Sequence, residues 1–119
     1  MIRPRAMVVG VALALLAAAA SAQEGFRVTH TVDRGSPSQT RINGTVFNES
    51  RFDATDVYVT AEAFDGNGKA VARGIAFVSP NIASGRSASF SASVPTMPGA
   101  TGYRVRVSSY RFGLGLQSP

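Results

Sequence analysis

The sequence predicts an all-β fold, a single antiparallel β-sandwich of about seven strands. Between Gln23 and Pro119 there are ten valines but only two leucines, and β-branched side chains favour strands over helices. Apolar residues recur at every second position, and turn residues interrupt them roughly every 8–12 residues, as is typical of sandwiches. Because no segment is suited to a crossover helix, the strands are expected to pair antiparallel.

The first three strands are predicted over residues 26–33, 42–47 and 57–64, where apolar and polar side chains alternate. Residues 35–38 and 48–50 separate these strands, and both segments are rich in residues that favour turns. The third strand is the clearest of the three because its alternation is unbroken.

A hairpin is predicted around residues 65–68, which contain the turn dipeptides Asp-Gly and Asn-Gly. This turn joins the third strand to a fourth over residues 70–78. A loop is then expected over residues 80–86, before a fifth strand over residues 87–94.

The last strong strand is predicted over residues 103–110, after a proline- and glycine-rich turn at residues 95–99. The alternation continues through residues 110–116. This tail is expected to be either a final edge strand or a flexible apolar strip, which can pair with a partner by strand addition if it is exposed.

The alternation also predicts which side chains face the core. One face of the first strand carries apolar residues together with His30, which is therefore expected to be a core or edge histidine. The predicted core from the third strand onward consists of Val57, Val59, Ala61, Ile75, Phe77, Phe90, Val105 and Val107.

Residues 1–22 have the three parts of a secretory signal peptide, which is expected to be helical. Two arginines, Arg3 and Arg5, precede an apolar run over residues 7–20, and the run ends in Ala-Ser-Ala. The run is shorter than the ~18 apolar residues of a spanning helix, so cleavage is expected between Ala22 and Gln23. The expected mature chain, residues 23–119, is one β-sandwich domain in the periplasm or secreted, without stable membrane insertion.

The composition of this mature chain argues against nucleic acid as a partner and against stabilisation by disulfides. Ten basic and seven acidic residues remain, a net charge of +3, and no basic run suited to phosphates is present, so nucleic acid is not an expected partner. Cysteine is absent, so stability is expected to come from packing and strand pairing without disulfides.

Four segments resemble the FxLYD domain family: residues 44–50, 57–59, 63–71 and 84–90. The first follows the family's G-x-V-x-N-x-S pattern, and the resemblance as a whole covers about residues 41–110. Ala63 and Phe64 replace the usual leucine and tyrosine. The resemblance implies an immunoglobulin-like β-sandwich in a bacterial envelope protein, from a family without established catalytic activity.

No catalytic, metal or cofactor site is predicted. His30 is the only histidine and has no cysteine to complete a metal shell, and no G-x-S-x-G elbow is present. The turn at Asp65 starts like a calcium loop, but Lys69 and Ala76 stand where that loop needs other residues. A small hydrolase using a serine and His30 stays open as an alternative.

A binding surface is predicted at Arg104, Arg106 and Tyr110 on the last strand. The arginines are two residues apart and leave the same face about 7 Å from each other, and Tyr110 is expected to continue that row. Guanidinium groups beside an aromatic ring suit an anionic envelope component or an envelope protein. A solvated face without a ligand is the alternative for this row.

The predicted function is therefore a non-catalytic binding or structural module of the bacterial periplasm or cell envelope. A surface or pilus-like assembly subunit is a further alternative, which requires an exposed, unpaired edge strand.

Overall fold

The computed structural model describes residues 19–23, 25–33 and 36–113. All regular structure in these residues is β-strand, in agreement with the predicted class. The strands are β1 (Ala19–Gln23), β2 (Phe26–Asp33), β3 (Gln39–Asn48), β4 (Asp53–Asp65), β5 (Ala70–Ile82), β6 (Ser87–Pro95) and β7 (Ala100–Gly113).

The strands form two antiparallel sheets that pack as a β-sandwich. One sheet has the order β1-β2-β3-β6 and the other β5-β4-β7. The chain passes from the first sheet to the second after β3, returns after β5, and crosses to the second sheet again after β6. Apolar side chains from both sheets fill the space between them, so the predicted sandwich is confirmed.

The strand positions agree with the alternation, although several strands are longer than predicted. β5 continues to Ile82, so residues 80–82 are strand where a loop was expected. β7 runs from Ala100 to Gly113, which extends the last strand into the tail. Residues 114–119 lie outside the described part of the chain.

The predicted signal peptide is described only at its end. Residues 1–18 lie outside the described part, whereas residues 19–22 belong to β1 and are extended instead of helical. β1 pairs antiparallel with β2, from Ala19 opposite His30 to Gln23 opposite Phe26. The edge of β2 offers unpaired backbone groups, which an extended segment satisfies and a helix does not.

Six of the eight residues that were predicted to lie in the core from the third strand onward are buried. Those six are Val57, Val59, Ala61, Phe90, Val105 and Val107. On β2, Phe26 and Val28 are buried on the same face as His30. The described core is therefore built mainly from valine and alanine, with a few aromatic rings.

The predictions for Ile75 and Phe77 are wrong, since these side chains are 67% and 50% exposed. Residues directly opposite in an antiparallel pair share a face. Ala61 is buried and lies opposite Gly74, whereas the exposed Tyr58 lies opposite Phe77. β5 is apolar on both faces, and the pairing directs the smaller side chains inward.

Gly44 allows close packing inside the first sheet. A Cβ atom at Gly44 would lie 2.7 Å from Cζ of Phe90 and would also meet the backbone oxygen of Thr29. The Phe90 ring therefore occupies the space above the glycine, which explains why this large side chain fits against β3.

Candidate functional site

The outer face of the β5-β4-β7 sheet carries an exposed apolar patch, formed by Tyr58, Ile75 and Phe77. The Tyr58 and Phe77 rings meet edge to face, with centroids 5.1 Å apart. Of six exposed large hydrophobic side chains in the described residues, these three lie on one sheet face. An apolar cluster of this kind on a surface is typical of an interaction site.

Two arginines on β7 border the apolar patch. Arg104 lies opposite Glu62 and Arg106 opposite Thr60, both on β4, so the prediction that they share a face is confirmed. The Arg104 guanidinium carbon lies 4.6 Å from the centroid of the Phe64 ring. Within the described residues Arg106 forms no ion pair, so its charge is available to a partner.

Glu62 is an acidic group of this face, and it pairs with Arg73. Nη2 of Arg73 donates to Oε2 of Glu62 at 3.2 Å, and the glutamate side chain is only 14% exposed. Since Arg73 already balances this carboxylate, Arg104 and Arg106 add positive charge to this part of the face.

Thr60 lies at the centre of the face and is only 4% exposed. Its cross-strand neighbours are Ile75 on one side and Arg106 on the other, and their long side chains account for its burial. The threonine hydroxyl forms no hydrogen bond with the described residues. The centre of the face thus contains a polar group that its neighbours cover.

Tyr110 does not continue the arginine row. Val107 pairs with Val59 and Ser109 with Tyr58, which leaves Ser108 as an extra residue in β7. Such a bulge reverses the alternation that follows it. Tyr110 consequently turns to the other face and contacts the core residue Phe26 edge to face, with ring centroids 4.9 Å apart, while its side chain stays 37% exposed.

The aromatic ring beside the arginines is therefore Phe64 instead of Tyr110. Phe64 is on β4, and its alternation with the buried Ala63 and Ala61 already placed it on the outer face. Sequence reasoning missed its role because contact with Arg104 depends on how β4 pairs with β7.

Tyr110 belongs to an aromatic cluster that closes one end of the sandwich. Its ring centroid lies 4.9 Å from that of Phe112, which stacks on Phe26 at 5.9 Å. Phe52 lies against Phe112 at 5.7 Å. This arrangement stabilises the fold and places Tyr110 apart from the arginine row.

His30 is a core histidine, as expected. It is 8% exposed and lies opposite Gly44, and burial lowers its pKa from the ordinary value of 6.5. In the described part of the chain, its ring has no hydrogen bond to a serine or carboxylate side chain. The geometry therefore offers no support for catalysis by a serine and His30.

Asn48, part of the pattern shared with the FxLYD family, has a structural role. It is fully buried, and its Nδ2 donates to the carbonyl oxygens of Phe52 and Ile82, both at 2.8 Å. Its Oδ1 accepts from the backbone nitrogen of Ser50 at 3.0 Å and from the serine hydroxyl at 2.7 Å. One amide thus holds the β3–β4 connection against the end of β5.

The Asp65 carboxylate accepts backbone hydrogen bonds within the predicted turn. Its Oδ1 accepts from the backbone nitrogens of Asn67 at 2.9 Å and Lys69 at 3.0 Å. Over the described ranges there is no group of three or more His, Cys, Asp or Glu side chains able to hold a metal ion. The turn thus uses this carboxylate to order the hairpin.

Two open hollows lie outside the face just described. The larger, about 650 Å³, is lined mainly by residues 81–87 and Phe47. The smaller, about 330 Å³, is lined by residues 29–31 and 43–45. Neither brings together a cluster of titratable or nucleophilic side chains among the described residues.

Comparison with protein-family models, curated proteins and solved structures found no match. In residues 19–23, 25–33 and 36–113, the structure contains no helix able to cross a membrane.

Proposed function

We propose that the chain is exported, cleaved after Ala22, and acts as a non-catalytic binding module of the bacterial periplasm or cell envelope. The observation that carries this proposal is the outer face of the β5-β4-β7 sheet, where Arg104 and Arg106 border the apolar patch. The partner is an envelope protein whose surface is acidic and partly apolar.

A protein surface fits this face better than a small ligand does. The face is a sheet surface without an enclosing wall, whereas small molecules are usually bound in clefts. Aromatic and arginine side chains are enriched at protein interfaces and carry much of the binding energy. Phe77 and Tyr58 are the aromatic members here, and Arg104 and Arg106 are cations without an ion pair among the described residues.

Charge determines the chemistry of the partner. Glu62 is neutralised by Arg73, so an incoming surface meets the positive charge of Arg104 and Arg106. Opposite charges accelerate encounter and disfavour partners of the wrong sign. On the partner, carboxylates would complement Arg104 and Arg106, and neighbouring aliphatic side chains would complement the apolar patch.

We also propose that the domain belongs with the FxLYD family, as the resemblance over residues 41–110 suggests. Support comes from Gly44 and Asn48 of the shared pattern, since each occupies a position with strict packing or hydrogen-bonding demands. The family's occurrence in bacterial envelope proteins agrees with the proposed export.

Site-specific crosslinking in an export-competent bacterium tests the binding surface. A photoreactive phenylalanine analogue replaces Phe77 on the apolar patch, and a control chain carries it at Ser89, on the exposed face of β6. We expect a crosslinked envelope protein from position 77 only, and a loss of that adduct by about tenfold or more in R104E/R106E.

The control for the arginine substitutions is R51E together with R86E, which changes the charge equally at exposed positions off the face. This variant should retain the adduct. Equal crosslinking from positions 77 and 89, or an adduct unaffected by R104E/R106E, would refute the proposed surface. The N-terminal residue of the exported chain, expected to be Gln23, tests cleavage separately.

A further inference from the structure

The segment expected to be removed on export covers the edge of β2. Residues 19–23 form five antiparallel pairs with residues 26–30, while the opposite edge of β2 is paired with β3. Cleavage after Ala22 leaves only Gln23 of β1. The backbone groups along β2 that faced β1 then have no partner from β1.

The uncovered β2 lacks several of the usual protections of an edge strand, although it carries Arg27 and Asp33 on its outer face. Edges are commonly blunted by proline, bulges or charges that point inward. β2 contains no proline, pairs with β3 without a register shift from Phe26 to Asp33, and directs Phe26 and Val28 into the core. It is a regular template for a further strand.

We propose that removal of the leader opens this edge and that a second copy of the chain pairs with it, β2 against β2, in an antiparallel two-fold dimer. The inference rests on the proposed export and cleavage. It concerns the sheet opposite the proposed partner-binding face, so the two surfaces are compatible.

The residues of β2 are complementary to themselves in one register. With His30 opposite the partner's His30, Arg27 lies opposite the partner's Asp33, and Val28 opposite the partner's Val32. Opposite charges thus meet on the outer face, and apolar groups meet on the inner face. Directly opposed pairs of these kinds stabilise antiparallel sheets.

Other registers lose this match. A shift by one residue sets the core face of one strand against the outer face of the other. Centring the pair on Thr29 instead places Arg27 opposite the partner's Thr31. Asp33 then has no cation across the interface, so the register centred on His30 is favoured.

Asp33 can form this contact directly, whereas Arg27 must first leave its partners in the same chain. Asp33 is exposed and forms no ion pair with the described residues, including Arg41 opposite it in β3. Nε of Arg27 donates to Glu49 at 2.9 Å, and the guanidinium stacks on the Phe47 ring at 3.9 Å. Arg27 therefore points toward β3 in the single chain, and pairing with the partner's Asp33 requires its side chain to turn toward the other edge of β2.

Two-fold pairing also ends the assembly at two copies. Each chain contributes the same edge, and pairing uses both, which closes the symmetry. The result is a continuous sheet of six strands, three from each copy. A head-to-tail contact would instead generate longer oligomers.

The first test compares chains that begin at Gln23 and at Ala19. Both retain the whole described core, whose buried hydrophobic residues lie between Phe26 and Val107. Light scattering after size exclusion should give a twofold larger mass for the Gln23 chain. The Ala19 chain should remain a monomer because its own β1 covers the edge.

The second test exchanges the charges in the Gln23 chain. R27E and D33R each place like charges opposite each other and should return the mass to that of a monomer, whereas R27E/D33R together should restore the dimer. R51E, a control of equal charge change outside β2, should remain dimeric. Circular dichroism and thermal melting verify that each variant is folded.

Three outcomes would overturn the inference: a monomeric Gln23 chain, a double exchange that stays monomeric, or a ladder of species larger than two copies. A monomer that recruits an unrelated strand would likewise contradict pairing with a second copy. Failure of cleavage during export would refute the proposed function without changing the masses of these two chains. Loss of the dimer alone would leave the partner-binding face intact.

Discussion

Asn48→Ala is expected to be among the most destabilising single substitutions in this domain. The Asn48 side chain is fully buried and connects the chain after β3 with the carbonyl of Ile82 at the end of β5. Alanine removes both its donors and its acceptor. No neighbouring side chain within the described hydrogen-bond network replaces them.

The magnitude follows from the contacts that are lost. Four hydrogen bonds involve the amide, and each contributes about 0.5–1.5 kcal/mol net, which gives roughly 4 kcal/mol. The Ile82 carbonyl also loses its side-chain donor in a buried setting, which adds to the cost. For a domain of this size the sum corresponds to a Tm lower by about 15–30 °C.

Urea unfolding followed by circular dichroism measures this effect, with Asn81→Ala as the matched control. Asn81 is exposed, and its hydrogen bonds with described residues use only its backbone atoms, so its substitution should change the free energy of unfolding by less than about 0.5 kcal/mol. If Asn48→Ala and Asn81→Ala destabilise equally, the amide does not hold these segments together.

Three further substitutions or conditions test the packing and the buried histidine. Phe90→Ala should cost about 3–5 kcal/mol because it empties the space above Gly44, and an unchanged Tm would show that the strand register is wrong. Ile75→Thr should change the free energy of unfolding by less than about 0.5 kcal/mol, since the side chain is largely exposed; a core-sized loss in urea unfolding would contradict the assigned face. Burial lowers the pKa of His30 in the folded state, so on acidification the unfolded chain takes up the proton first. The stability that the neutral His30 contributes is therefore fully present above pH 6.5 and is lost as the pH falls below that value. Thermal melting at about pH 7.5 and about pH 5.5 should therefore show a decrease in Tm that is smaller in His30→Gln, and equal decreases in both chains would contradict the buried neutral imidazole.

The positions of several strands along the chain could be predicted from local sequence patterns. Alternating β-branched residues and turn dipeptides place β2, β4 and the β4–β5 hairpin close to their observed positions, because these signals act over a few residues. The burial of Val57, Val59 and Ala61 follows from the same alternation, since only one face of β4 is consistently apolar there.

The candidate site depended on contacts between distant segments. β5 is apolar on both faces, so only its pairing with β4 directs Gly74 inward and exposes Ile75 and Phe77. Arg104 and Arg106 share a face because the alternation between them is regular. Tyr110 lies beyond the bulge at Ser108, and one extra residue moves its side chain to the opposite face. Period-two patterns specify faces only while strand pairing stays in register, and that register is decided by the neighbouring strand in the folded sheet.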